Sequence, residues 1–148
     1  MMLKQAFLRL LLSCDRIKKL SPLRLLMKSV IIAEDDEKVR ETYARAVKRF
    51  SGGAEVHEVG DGETLVEKVR ERDYDLIFTD NDMPRMSGLF AIVNIREFNP
   101  HIPICMMSGD KFEEIMPEAM KAGATDYIDK GDYEHFTEKL KGVVNKYL

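Results

Sequence analysis

Cysteine is scarce in this chain. Cys14 and Cys105 are the only two, lie far apart and form no CxxC pair. Neither a disulfide framework nor a zinc site is indicated, and a reducing cytoplasm fits. No apolar run approaches the ~20 residues of a membrane span. The patterns GxGxxG and GxxxxGK followed by Ser or Thr are absent, so dinucleotide or ATP binding has no support. The make-up is 45% hydrophobic and 33% charged, with 9 Gly and 5 Pro, which excludes a disordered tail, collagen and low-complexity sequence. What is left is the composition of an ordinary domain. At 148 residues the chain has one domain's length. It can bury roughly two-thirds of its unfolded surface and needs no covalent staple.

Charge is unevenly spread. Residues 1–28 hold Lys4, Arg9, Arg16, Lys18, Lys19, Arg24 and Lys28 against Asp15, a surplus of six positive charges. The whole chain has 23 basic and 26 acidic residues, so residues 29–148 keep 16 and 25, a net charge of −9. A short basic leader therefore precedes an acidic domain. An acidic domain is a poor match for a phosphate backbone, and nucleic acid is not expected as a partner.

In the leader, Leu3, Phe7, Leu10, Cys14 and Ile17 recur at helical spacing, and Ser21-Pro22 breaks the pattern. Three readings stand: a basic amphipathic helix packing on the domain or a partner, a membrane-surface helix, or a segment without an essential role upstream of a start at Met27. Membrane contact is the disfavoured one of the three, and the leader is expected to be dispensable. LLSC at residues 11–14 only faintly resembles a lipoprotein cleavage site, because Arg9 interrupts its apolar stretch.

From Ser29 the chain alternates. SVIIA (29–33), AEVHEV (54–59), DLIFT (75–79), IPICMM (102–107) and DYID (126–129) read as strands. Between and after them, 37–50, 62–72, 88–98, 112–122 and 133–148 carry helical spacing, with Gly52-Gly53, Pro100 and Gly123 as stops. Five strand–helix alternations call for a parallel sheet covered by helices on both faces.

In such a sheet the site lies at the carboxyl ends of the strands. Glu34, Asp35 and Asp36 follow the first strand, and Asp80, Asn81, Asp82, Met83 and Pro84 the third. Ser108, Gly109 and Asp110 follow the fourth, and Lys130 the fifth. Asp36 alone would serve as a helix N-cap, and Lys130 or Ser108 alone would mean little. Together they converge on one sheet edge. Clustered carboxylates repel one another, and a hard divalent cation, Mg²⁺ or Mn²⁺, relieves this. One carboxylate can then attack a phosphoryl group, while the cation and the Lys130 ammonium neutralise charge on it. The Ser108 hydroxyl could bond a phosphate oxygen.

VIIAEDD (30–36), DLIFTDNDMPRMSG (75–88), PICMMSG (103–109) and GATDYIDK (123–130) resemble the four signature blocks of response-regulator receiver domains. The resemblance spans residues 29–148. It implies a flavodoxin-like (βα)5 three-layer sandwich with parallel strand order 2-1-3-4-5. It further implies Asp80 as phosphoacceptor, Asp35 as a direct Mg²⁺ ligand, Glu34 acting through water and Asp82 offering its backbone carbonyl to the metal. Ser108 would be the switch hydroxyl, Tyr127 the aromatic rotamer switch and Lys130 the phosphate-binding lysine. Two positions depart from the family pattern. Gly131 stands where proline, in a cis peptide, usually follows the lysine, and Pro117 lies within helix four. We therefore expect a trans Lys130–Gly131 bond, since a cis bond before a non-proline residue costs ~2.5–4 kcal/mol. We also expect helix four to start near Met116 or to kink there.

No output domain follows the fifth helix, so the expected protein is a stand-alone cytoplasmic receiver. It would take a phosphoryl group from a histidine kinase or histidine phosphotransfer protein and relay it to a downstream protein. It would catalyse only its own phosphorylation and dephosphorylation, and dimerisation stays open. Two rivals are a Mg²⁺-dependent aspartyl-phosphate phosphohydrolase, with Asp82 at the spacing of a general acid, and a docking-only pseudo-receiver. The first needs a substrate-enclosing cap, and no inserted segment provides one. The second predicts the loss of an acid, the acceptor or the lysine, and all are present.

Overall fold

The computed structural model describes residues 27–148. The readings of residues 1–26 therefore lie outside the described residues. Five strands, β1 (Ser29–Ala33), β2 (Glu55–Val59), β3 (Leu76–Asp80), β4 (Ile104–Ser108) and β5 (Asp126–Asp129), form one sheet. Every neighbouring pair is parallel, in the order β2-β1-β3-β4-β5. The helices are α1 (Glu37–Phe50), α2 (Gly62–Glu71), α3 (Gly88–Phe98), α4 (Phe112–Ala122) and α5 (Phe136–Tyr147). This is the expected flavodoxin-like architecture.

The sheet is buried on both faces because alternate residues of its central strands are apolar in both directions. Ile31, Ala33, Ile77, Ile104 and Met106 pack under Leu65, Val66 and Val69 of α2, Ala91, Ile92 and Ile95 of α3, and Ala119 of α4. Val30, Ile32, Leu76, Phe78, Cys105 and Met107 face the other way, against Ala44 and Val47 of α1 and Leu140, Val143 and Val144 of α5. Every residue of β1, β3 and β4 is buried, whereas the edge strands β2 and β5 are mostly half-exposed. Their sequences say why: EVHEV and DYID mix charged residues with apolar ones, as suits strands at a sheet edge.

Helix starts follow from side chains. Asp36 caps α1 by accepting the Val39 amide at 3.0 Å, Asp61 caps α2 by accepting Thr64 at 2.8 Å, and Ser87 caps α3 by accepting Phe90. Gly123, at φ +115°, closes α4, donating to the Ala119 and Met120 carbonyls.

Three expectations need correction or close inspection. Helix α4 does not wait for Met116: it runs from Phe112 with Pro117 inside it. The missing N–H deprives only the Glu113 carbonyl, which belongs to an exposed residue and can turn to water. The first turn is meanwhile anchored by the Phe112 ring, edge-on to Tyr127 at 5.6 Å. The last helix begins at Phe136 rather than Tyr133, because residues 132–135 close a turn in which His135 N–H donates to the Asp132 carbonyl. The Lys130–Gly131 bond is trans, as are all peptide bonds of the described residues. No helix among the described residues is long and apolar enough to cross a membrane.

Candidate functional site

β1 and β3 are neighbours, but the chain leaves β1 toward β2 and returns to place β3 on its other side. The crevice above their carboxyl ends is the switch point where such sheets bind ligands. The register there is Val30↔Leu76 through Ala33↔Thr79, so Glu34 and Asp80 follow paired residues at the same height. Carboxylate oxygens of Glu34, Asp35 and Asp80 all lie within 4.8 Å of one another. Glu34 and Asp80 are buried and Asp35 is exposed, which leaves the cluster open to solvent on one side.

Lys130 reaches the same point from the end of β5. Its Nζ lies 2.5 Å from Glu34 Oε2, 3.3 Å from Asp80 Oδ1 and 5.7 Å from the centre of the Tyr43 ring. The Asn81 amide donates to Asp80 Oδ1 at 2.8 Å and the Asp36 amide to Glu34 Oε1 at 3.2 Å. Burial pushes the Asp80 carboxyl up, against the lowering pull of Lys130 and the Asn81 amide. Burial likewise raises Glu34, again opposed by Lys130. Lys130 itself ends above its usual value: burial pulls it down, but Glu34 and Asp80 more than offset that.

Three carboxylates face one ammonium, so the ionised cluster keeps an uncompensated negative charge in a partly dry crevice. A hard oxygen set with one exposed member suits a small divalent cation that retains water ligands. The residues present therefore fit Mg²⁺, with Asp35, Asp80 and Glu34 as the side chains in reach. Asp82 is exposed on the turn after β3, and its carboxylate is not in the cluster.

Ser108 ends β4, one residue beyond the Asp80↔Met107 pair. It is buried, and its hydroxyl donates to Asp110 Oδ2 at 2.9 Å. Tyr127 pairs with Met106 across β4 and β5. Its hydroxyl is buried without a hydrogen bond of ordinary geometry. Burial raises its phenol, with the neighbouring Ser108 hydroxyl working the other way.

Several residues that shape the site carry no signal in the sequence. Arg40 donates to the Glu34 carbonyl at 2.7 Å from one turn into α1. Arg85, in the left-handed region at φ +64°, turns the loop after β3 back and bonds Asp61, the α2 cap. A Cβ on Gly88 would sit 2.0 Å from the Asp80 carbonyl oxygen, and one on Gly62 would sit 2.3 Å from that of Met86. The two helix starts thus press directly on the loop that leaves Asp80. Asp110, read only as following a strand, accepts from both Ser108 and Asn81.

A doubly wound α/β sheet with an acidic crevice and a lysine at its switch point defines a class of folds rather than one protein. Comparison narrows it: residues 30–141 match the family model of the response regulator receiver domain. The chain belongs to that family. It is 35% identical over 112 residues to the transcriptional regulatory protein ZraR of Escherichia coli O157:H7, covering 75% of this chain and 25% of that protein. It is also 35% identical over 103 residues to the two-component response regulator ORR41 of Oryza sativa subsp. japonica, covering 68% of this chain and 81% of that one. The chain spans 22% and 55% of two other curated relatives, a Klebsiella oxytoca ZraR and a Pseudomonas putida glycerol metabolism activator. Among solved structures, the chemotaxis response regulator CheY4 of Vibrio cholerae superposes with a TM-score of 0.72 at 24% identity, covering 82% of this chain and 99% of that one. Receiver domains are generally signalling switches of two-component systems.

Proposed function

We propose that the chain is a phosphorylatable switch whose acceptor is Asp80. The observation that carries this is the placement of Asp80 at the end of β3, within 4.8 Å of two further carboxylates and with Lys130 Nζ 3.3 Å from Oδ1. The donor is a phosphohistidine on a histidine kinase or phosphotransfer protein. The Asp80 carboxylate oxygen attacks phosphorus, the P–N bond breaks as the P–O bond forms, and the leaving imidazole takes a proton. The Asn81 amide and Lys130 fix the carboxylate, so that its second oxygen is the one presented. Lys130 then stands beside the arriving negative charge, which is where electrostatic stabilisation is most effective. A bound Mg²⁺ would neutralise further charge on the phosphoryl oxygens, held by Asp35, Asp80 and the Asp82 carbonyl, with Glu34 acting through water. Ser108 and Tyr127, at the ends of β4 and in β5, carry the change to the surface and so to a downstream partner.

The test is intact-mass analysis after incubation with acetyl phosphate and Mg²⁺. One added phosphoryl group is expected, absent in Asp80→Asn. Labelling that persists in Asp80→Asn overturns the assignment. The hydrolase alternative would show as turnover of p-nitrophenyl phosphate. We expect none, because that chemistry needs the Asp82 carboxylate as a general acid beside the cluster.

A further inference from the structure

We propose that Asp110 is a positioning residue that latches the Ser108 hydroxyl away from Asp80 in the unphosphorylated state. The inference rests on the reading of Asp80 as phosphoacceptor. The Ser108 hydroxyl donates to Asp110 Oδ2 at 2.9 Å, and its oxygen accepts the Asp110 amide at 3.1 Å. A serine hydroxyl has one proton. While that proton is held by Asp110, it is not available to a phosphoryl oxygen on Asp80.

The same Asp110 oxygen also accepts from Asn81 Nδ2 at 3.1 Å. Asn81 is the residue after the acceptor: its amide holds Asp80 Oδ1 at 2.8 Å, and its Oδ1 takes the Leu89 amide at 3.3 Å. One carboxylate oxygen therefore ties the loop after β4 to the loop after β3, across the mouth of the crevice. A phosphoryl group on Asp80 brings dianionic acceptor oxygens that compete with Asp110 for the Ser108 proton. The strength of the Asp110 bonds then sets how far phosphorylation is resisted, since a ligand shifts a two-state element only by its differential affinity for the two states. Hydrogen bonds to a carboxylate are about twice as strong as neutral ones. Asp110 is exposed, which weakens its hold, so the latch is a moderate one.

The experiment is an amide NMR titration of the full chain with beryllofluoride, a phosphoryl mimic, at fixed Mg²⁺. The variants are Asp110→Ala, Asp110→Asn, Ser108→Ala and Asp110→Ala with Ser108→Ala. Asp110→Ala should bind the mimic about two- to fivefold more tightly than the parent, the scale of one partly solvated charge-assisted bond. Asp110→Asn keeps an acceptor oxygen without the charge and should fall between. In the Ser108→Ala background, Asp110→Ala should tighten binding clearly less, because there is no proton to release and only the Asn81 bond and the charge are lost. An equal tightening in both backgrounds would mean that Asp110 acts only by charge repulsion, and would overturn the latch. So would unchanged affinity in Asp110→Ala. Should the parent chain fail to bind the mimic, or Asp80→Asn bind it equally well, the acceptor reading itself falls. Binding by the parent and not by Asp80→Asn leaves the latch to be judged alone.

Discussion

Lys130 is one ammonium among three carboxylates, and the imbalance has a thermodynamic sign. Burial raises the Asp80 carboxyl above its unfolded value, although Lys130 lowers it in part. An acid raised in the folded state binds its proton more tightly there, so ionising it costs stability as pH rises through the folded value. At neutral pH, without metal, Asp80 is thus a burden on the fold. Asp80→Asn should melt higher than the parent in EDTA, and a lower melting temperature would show that Lys130 outweighs burial. Mg²⁺ should reverse the order. A ligand that binds only the native state stabilises it by mass action, about 2.7 kcal/mol at a hundredfold excess over Kd. The parent should gain this, whereas Asp35→Asn should gain far less. A melting series in Mg²⁺ and EDTA reads both effects, and an Asp35→Asn variant that gains as much as the parent would remove Asp35 from the ligand set.

At the scale of elements, what was legible in the sequence is what periodicity and strand ends dictate. SVIIA and LIFTD are largely apolar on both faces, so their burial and the parallel sheet follow directly, and so does the edge where Asp80 and Ser108 end their strands and Glu34, Asp35 and Lys130 follow theirs. Long-range side-chain bonds were not legible, because no local pattern specifies them. Asp110 meets Asn81 29 residues away, and Arg85 meets Asp61 at a separation of 24. Pro117 misled because the rule against interior proline assumes that the freed carbonyl has nowhere to go. At exposed Glu113 it has water. If that account holds, Pro117→Ala restores one backbone bond and should stabilise the protein by about 1–3 kcal/mol, less up to about 1 kcal/mol for the freer unfolded chain. A variant that melts at or below the parent would show that the proline is better placed than its geometry implies. The edge strand offers a pH test. Arg72, bonding Glu55 at 3.0 Å, and then His57 hold the Glu55 carboxyl down to about 2. A depressed acid contributes stability above its unfolded value of 4.5, and this is lost as pH falls toward 2. The pair is about one-third exposed, so screening limits it to about 1 kcal/mol. Arg72→Ala should therefore cost most near pH 6 and clearly less near pH 3. A constant gap would assign the loss to the Arg72 stack on Tyr74 instead.

On the scale of the whole molecule, the question is whether the described domain is complete as a folding unit. Both sheet faces are already covered, one by α2, α3 and α4 and the other by α1 and α5. The large side chains of the central strands, among them Ile31, Ile32, Phe78, Ile104 and Met107, are fully buried, and the helices from α1 to α5 pack over them. A fully buried side chain of this kind is worth about 1.5–3 kcal/mol, and elements within residues 27–148 already cover both sheet faces. The chain begun at Met27 should accordingly melt within about 3 °C of the full chain, equivalent to under about 1 kcal/mol at this size. It should also still take one phosphoryl group on Asp80. The six basic residues removed, Lys4, Arg9, Arg16, Lys18, Lys19 and Arg24, precede an acidic domain in the sequence. Any association they drive in the full chain should weaken as salt is raised, because charges beyond a Debye length of about 10 Å at 0.1 M are screened. Thermal melting of the two chains, with light scattering across a salt series, measures both effects. A Met27 chain that no longer folds would show that the leader supplies part of the core, and the boundary at Ser29 would have to be moved.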